Sequence, residues 1–158
     1  MTEMKQKPAA PFLKTIVVGT DFSVCAARAL SFAVSLASSQ GGKLHLVHVL
    51  MEPVQAFDVA AALPYPAAGV RKEWEEAAQE RLGREARAAE RRGVAATWEL
   101  KWGRPSDALI ETAQAKRASL VVLGTHGRSA LEKMLLGSTA ERVVRLCPVP
   151  VLTVREKK

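Results

Sequence analysis

Residues 120–144, LVVLGTHGRSALEKMLLGSTAERVV, hold the densest set of groups able to do chemistry. A run of apolar residues ends at Gly124, further glycines stand at 127 and 137, and Ser138 and Thr139 follow the last. The spacing is G-x2-G-x9-G-S. A buried strand, a glycine-rich loop and the start of a helix in that order are suited to binding an anion. Glycine lets the backbone come close to a ligand, and first-turn amides with the helix dipole favour phosphate. The Ser138 hydroxyl could cap the helix and also bond a phosphate oxygen. Arg128 inside the loop could pair with phosphate. Glycines of this kind also make ordinary strand-to-helix connections, and the loop alone does not separate the two readings.

Other chemistry-bearing residues are sparser. Asp21 closes an apolar run and either faces a ligand or ends the strand and caps the next helix. His126 lies between two loop glycines, where it either faces solvent or reaches phosphate. His45 and His48 fall on opposite faces of one strand, so they cannot form a metal pair by themselves. Two cysteines, Cys25 and Cys147, are too few for a disulfide framework, and buried free thiols are the default. No G-x4-G-K-[ST] occurs, which excludes a P-loop, and VGTDFS stands where a dinucleotide fold would carry G-x-G-x-x-G. The third strand ends in Lys101 and Trp102 rather than the aspartate a receiver domain needs. Neither Ser129 nor Ser138 has a placed histidine and acid, so no nucleophile and base pair is evident.

The elements that must position these residues follow from periodicity. Residues 14–20, KTIVVGT, read as the first strand. Ser23 caps a helix over 24–39, and Ala26, Leu30, Ala33, Val34 and Ala37 share its apolar face. Gly41 and Gly42 end it, and residues 43–50, KLHLVHVL, form the second strand. Residues 51–69 carry three prolines and no clean period; a short helix over 54–63 and a flap near the ligand are both readable there, as is a variable loop. The strongest helix spans 70–92, with Trp74, Ala78, Leu82, Ala86 and Ala89 on one stripe. Glu80 with Arg84, and Arg81 with Glu85, form i,i+4 pairs on its exposed side. Residues 95–101 alternate like an edge strand. Pro105 opens a third helix, with Lys116 and Arg117 in its last turn. Residues 119–123 are the fourth strand, 129–136 allow a helical turn, 138–146 form a helix, and 149–154 form a fifth strand that Pro150 places at an edge.

Strict alternation of strand and helix predicts an α/β fold: an open five-stranded parallel sheet with helices on both faces. Five strands fit the flavodoxin- or Rossmann-like order 3-2-1-4-5, in which strands 1 and 4 are neighbours at the switch point where ligands bind. Asp21 and the Gly124 loop are the two strand ends there, so motifs 100 residues apart are predicted to meet in one crevice. Residues 1–11 read as a disordered lead and 12–158 as a single domain. The net charge of +7 lies mostly in residues 71–158, where 18 basic groups are interleaved with 12 acidic ones. That pattern fits a solvated helix face that tolerates a polyanionic nucleotide, and it lacks the aromatic interleaving of specific nucleic-acid binding. No apolar run is long enough to span a membrane and no secretory leader is present, so a cytoplasmic location is expected.

IVVGTDFS, LHLVHV, VVLGTHGRS and GSTAERVVRLCPVPVLTV resemble the universal stress proteins, and the glycine spacing is similar to the signature of their ATP-binding branch. The resemblance runs from about residue 12 to 154. It implies an ATP-binding stress-response or signalling module with at most slow hydrolysis, or a nucleotide-independent dimeric interaction module of the same fold. It places Thr20 and Asp21 by the ribose or a phosphate-bound Mg2+, with Asp21 as metal ligand, and the Val49 backbone at adenine. By the same resemblance, Gly124, Gly127, Arg128, Gly137, Ser138 and Thr139 would hold the ribose and phosphates. The family often has glycine after the aspartate; Phe22 stands here, which implies an altered pocket floor. A homodimer through residues 149–154, and a further protein partner that reads the nucleotide state, are also implied.

Overall fold

A computed structural model describes residues 12–51, 68–126 and 136–155. Its elements are β1 (Thr15–Gly19), α1 (Val24–Gln40), β2 (Lys43–Leu50), α2 (Ala68–Glu90), β3 (Ala96–Trp102), α3 (Pro105–Ala115), β4 (Leu120–Gly124), α4 (Ser138–Leu146) and β5 (Val151–Val154). All four strand pairings are parallel, in the order β3-β2-β1-β4-β5. This is the architecture expected from alternation. The short helix over 54–63, the flap, most of the helical turn at 129–136 and the lead 1–11 lie outside the described residues.

The strands are apolar on both faces because both are covered. Ile16, Val18, Leu44, Leu46 and Val122 pack under α1 and α2, whereas Val17, Val47, Val121 and Leu123 pack under α3 and α4. Alternate residues of one strand thus feed opposite layers, as the two-residue period requires. The buried face of α1 is mostly alanine, and this brings its backbone close to the sheet. The Ser23 side chain accepts from the Ala26 amide at 3.1 Å and caps that helix, which ends at Gly41. Among the described residues no helix is long and apolar enough to cross a membrane.

Several local expectations need correction. Glu85 does not sit on the exposed side of α2. It turns inward, hydrogen-bonds Thr20, and its carboxyl is pushed up by burial against the lowering effect of that bond and of Arg81. Lys116 caps α3 instead of lying in its last turn, and Arg117 stands beyond at φ 49°. Pro150 precedes β5, and its carbonyl accepts from the Val121 amide. Trp74 shares the α2 stripe but is 43% exposed, while Ala78, Leu82, Ala86 and Ala89 are buried.

Candidate functional site

The C-terminal ends of β1, β2 and β4 and the start of α4 enclose a crevice of about 520 Å³. That lies within the roughly 300–1,000 Å³ usual for small-molecule sites. β1 supplies Gly19, Thr20 and Asp21; β2 supplies Val47, His48, Val49, Leu50 and Met51. β4 and the residues after it supply Leu123, Gly124, Thr125 and His126, and α4 begins with Gly137, Ser138, Thr139 and Ala140 on the far wall. Ala26 of α1, Trp74 of α2, and Pro105 and Leu109 of α3 complete it. Of the residues singled out from the sequence, Thr20, Asp21, Val49, Gly124, Gly137, Ser138 and Thr139 therefore meet here. Gly127 and Arg128 lie outside the described residues.

The chain after β1 is tied down by its own polar side chains. Asp21 Oδ1 accepts from the Ser23 amide at 2.9 Å, and Thr20 Oγ1 accepts from the Phe22 amide at 3.1 Å. These side-chain turns hold the Asp21 carboxylate at the crevice wall while Ser23 caps α1. Between them Phe22 takes φ 62°, a left-handed conformation that is strained for a bulky residue. This conformation explains why glycine suits the position. Phe22 is not among the described residues that line the crevice, and it reaches the wall only through His48. Its ring packs instead against His48, with centroids 4.3 Å apart, and under the Arg81 guanidinium at 4.2 Å.

The end of β2 is exposed to the crevice for a simple reason of length. β1 stops at Gly19 opposite Val47, whereas β2 continues to Leu50 beside β3 alone. The Val47 carbonyl accepts from Thr20 at 3.0 Å, so Val47 directs its main chain toward β1. Alternation sends the Val49 main chain the same way, past the end of β1. The Thr20 carbonyl, next in line, accepts from His48 Nδ1 at 2.8 Å.

Two of the signature glycines are explained by close packing. A β-carbon on Gly124 would lie 2.9 Å from Cys25 Sγ and 3.1 Å from the Cys25 carbonyl carbon, so α1 would have to shift against β4 to admit it. A β-carbon on Gly137 would lie 3.1 Å from the Thr125 carbonyl, which the Gly137 amide reaches at 2.7 Å. Gly137 is also the N-cap of α4, so Ser138 is its first helical residue and does not cap it. The Ser138 side chain is exposed at the crevice, and the first-turn amides of α4 open there. His126 is half-buried in the wall, its Nδ1 2.9 Å from Thr125 Oγ1, rather than facing solvent. Cys25 is a buried free thiol donating to the Val154 carbonyl at 3.2 Å.

A second polar cluster, not foreseen from the sequence, lies under α3. His45 is 4% exposed, with Nδ1 2.7 Å from Thr97 Oγ1 and Nε2 3.6 Å from Glu99 Oε1. Burial, then the Lys116 charge, push its imidazole below the usual histidine range against the opposing pull of Glu99. Burial raises the Glu99 carboxyl, but the Thr112 hydroxyl, Lys101 and His45 together hold it below its ordinary value. The signal for this cluster was a histidine at an inward position of β2, and its partners come from β3 and α3.

Residues 13–155 match the profile of the universal stress protein family. Universal stress protein MJ0531 of Methanocaldococcus jannaschii is 34% identical over 152 residues, covering 92% of this chain and 84% of its own. The solved protein MJ0577 from the same organism superposes with a TM-score of 0.80 at 24% identity, covering 93% of this chain and 99% of that one; at that identity the likeness speaks for the fold. A universal stress protein solved in complex with cAMP matches at 29% identity and a TM-score of 0.61, covering 92% of this chain and 98% of that one. The sheet order, the crevice at its switch point and a family match over nearly the whole chain agree: the chain belongs to the universal stress protein family.

Proposed function

We propose that the chain binds ATP in this crevice and acts as a nucleotide-dependent stress-response or signalling module. The observation that carries the reading is the polarity of the crevice along its length. Val49, Leu50 and Met51 line it with His48 at the end of β2, and the first turn of α4 lines it on the far side of β1, beyond β4. A nucleotide has the same division, a flat base at one end and phosphates at the other. The relative bound to cAMP supports an adenine nucleotide. Adenine would meet the Val49 main chain, and ribose would lie by Thr20 and Asp21. The phosphates would be held at Gly137, Ser138 and Thr139 with Gly127 and Arg128. Among the described residues no three His, Cys, Asp or Glu side chains could together hold a metal. Mg2+ would thus come with the phosphates, with Asp21 as its protein ligand.

Binding would order the loops at the switch point and so change a surface that a partner reads. Turnover is not needed for this, and hydrolysis is at most slow. β5 is an edge strand, and an edge-to-edge homodimer through residues 149–154 would cover it. The test is calorimetric titration of ATP, with and without magnesium, into nucleotide-free protein. Micromolar binding supports the reading. Neither heat nor thermal stabilisation would replace it with a nucleotide-independent dimeric interaction module of the same fold.

A further inference from the structure

We propose that the indole of Trp74 is the surface on which the nucleobase stacks, and that it sets how tightly the base end of the ligand is held; this rests on the nucleotide reading above. Four members of the apolar stripe of α2, from Ala78 to Ala89, are between 0% and 5% exposed. Trp74, one turn earlier on the same stripe, is 43% exposed and lines the crevice instead of the core. Val49, Leu50 and Met51 at the end of β2 line that crevice too, and Met51 is 64% exposed. The largest apolar side chain of α2 thus stays half in water on the crevice wall that it shares with Val49, Leu50 and Met51. A flat aromatic ligand would remove this surface from water and match its quadrupole.

The segment bearing Trp74 is held in place before any ligand arrives. Trp102 Nε1 at the end of β3 donates to Glu75 Oε1 at 2.7 Å. The Arg71 guanidinium lies 4.0 Å from the Trp102 ring centroid, and Arg71 Nε is 3.7 Å from Glu75 Oε1. These contacts flank Trp74 on both sides in sequence and pin the start of α2 to β3. Little ordering cost then remains for the backbone that presents the indole. The work divides by chemistry. Stacking accepts any base, so Trp74 supplies affinity, and the Val49 main chain, directed past the end of β1, supplies discrimination.

The test compares wild type, Trp74→Ala and Trp74→Phe as full chains, using ATP as the probe. Calorimetry should show Trp74→Ala weakened about tenfold or more and Trp74→Phe within about threefold of wild type. ATP should also change the indole emission of wild type and leave that of Trp74→Phe unchanged, although Trp98 and Trp102 remain in both. Equal ATP affinity in wild type and Trp74→Ala, or an emission change that persists in Trp74→Phe, overturns the stacking assignment and leaves the nucleotide site standing. Absence of ATP binding to wild type removes the nucleotide reading itself, and the stacking proposal with it. If circular dichroism shows that Trp74→Ala is unfolded, the emission comparison decides alone.

Discussion

Replacing Ser138 with aspartate should separate ligand binding from folding, because the two respond in opposite directions. Ser138 is the first residue of α4, exposed at the crevice, with no role in capping. A carboxylate there meets the positive end of the helix dipole, a contribution of about 0.3–1 kcal/mol to stability. For a chain of this size that is a rise in melting temperature of about 1–3 °C. The same carboxylate would stand about 5 Å from a phosphate bound at the first turn. Repulsion between two unit charges at that separation is about 0.8 kcal/mol in bulk water and about 3.3 kcal/mol at an effective dielectric of about 20. ATP affinity should therefore fall between about fourfold and about 250-fold. Calorimetry and thermal melts on one preparation give both quantities, and titrations without magnesium remove any gain from a new metal ligand. Undiminished ATP binding in a variant whose melting temperature has risen would refute the placement of phosphates at α4.

Gly124→Ala should lower stability by about 1–3 kcal/mol through overpacking, because the new methyl would meet Cys25; an unchanged melting temperature would show that α1 gives way freely. Phe22→Ala keeps the left-handed backbone and loses the ring contacts with His48 and Arg81, whereas Phe22→Gly loses the contacts but relieves the strain. The glycine variant should be the more stable of the two by about 1 kcal/mol in urea unfolding, and equality would argue against strain at φ 62°. His45 binds a proton less readily in the folded chain than in the unfolded one, so the unfolded state holds more protons below its ordinary value of 6.5. Its contribution is complete above pH 6.5 and is lost as pH falls below that value, so wild type should lose stability there more steeply than His45→Gln. Parallel profiles would exclude His45 as the source.

Much of the fold is legible because alternating short apolar runs and amphipathic helices admit few arrangements, and the run KLHLVHVL bounds β2 to the residue. The convergence of Asp21 with the Gly124 loop followed from strand order alone. What the sequence concealed was which way a side chain turns. Gly124 and Gly137 have the spacing of points of ligand approach, yet each also lies tight against a neighbour, Cys25 or the Thr125 carbonyl, that no local pattern reveals. Phe22 looked like a pocket residue, but its backbone angle swings the ring toward α2. Glu85 has the spacing of half a surface ion pair, but it turns inward to Thr20 while the Arg81 charge still acts on it. Trp74 had the spacing of a core residue, but it lies where the core has given way to the crevice.

The central pairing of the sheet has a consequence for when the crevice comes into being. β1 is bonded on one side to β4, with Ile16 beside Leu120, and the far wall begins only at Gly137. Asp21 thus leaves the ribosome more than 100 residues before the first turn of α4 that lines the same crevice. The crevice is then among the last features to form, since pairing over such a separation is slow. A ligand that recognises only the finished crevice cannot help to nucleate the sheet. It would act afterwards, by slowing escape from the native state, so nucleotide should lengthen the lifetime of the folded chain and leave its rate of folding unchanged.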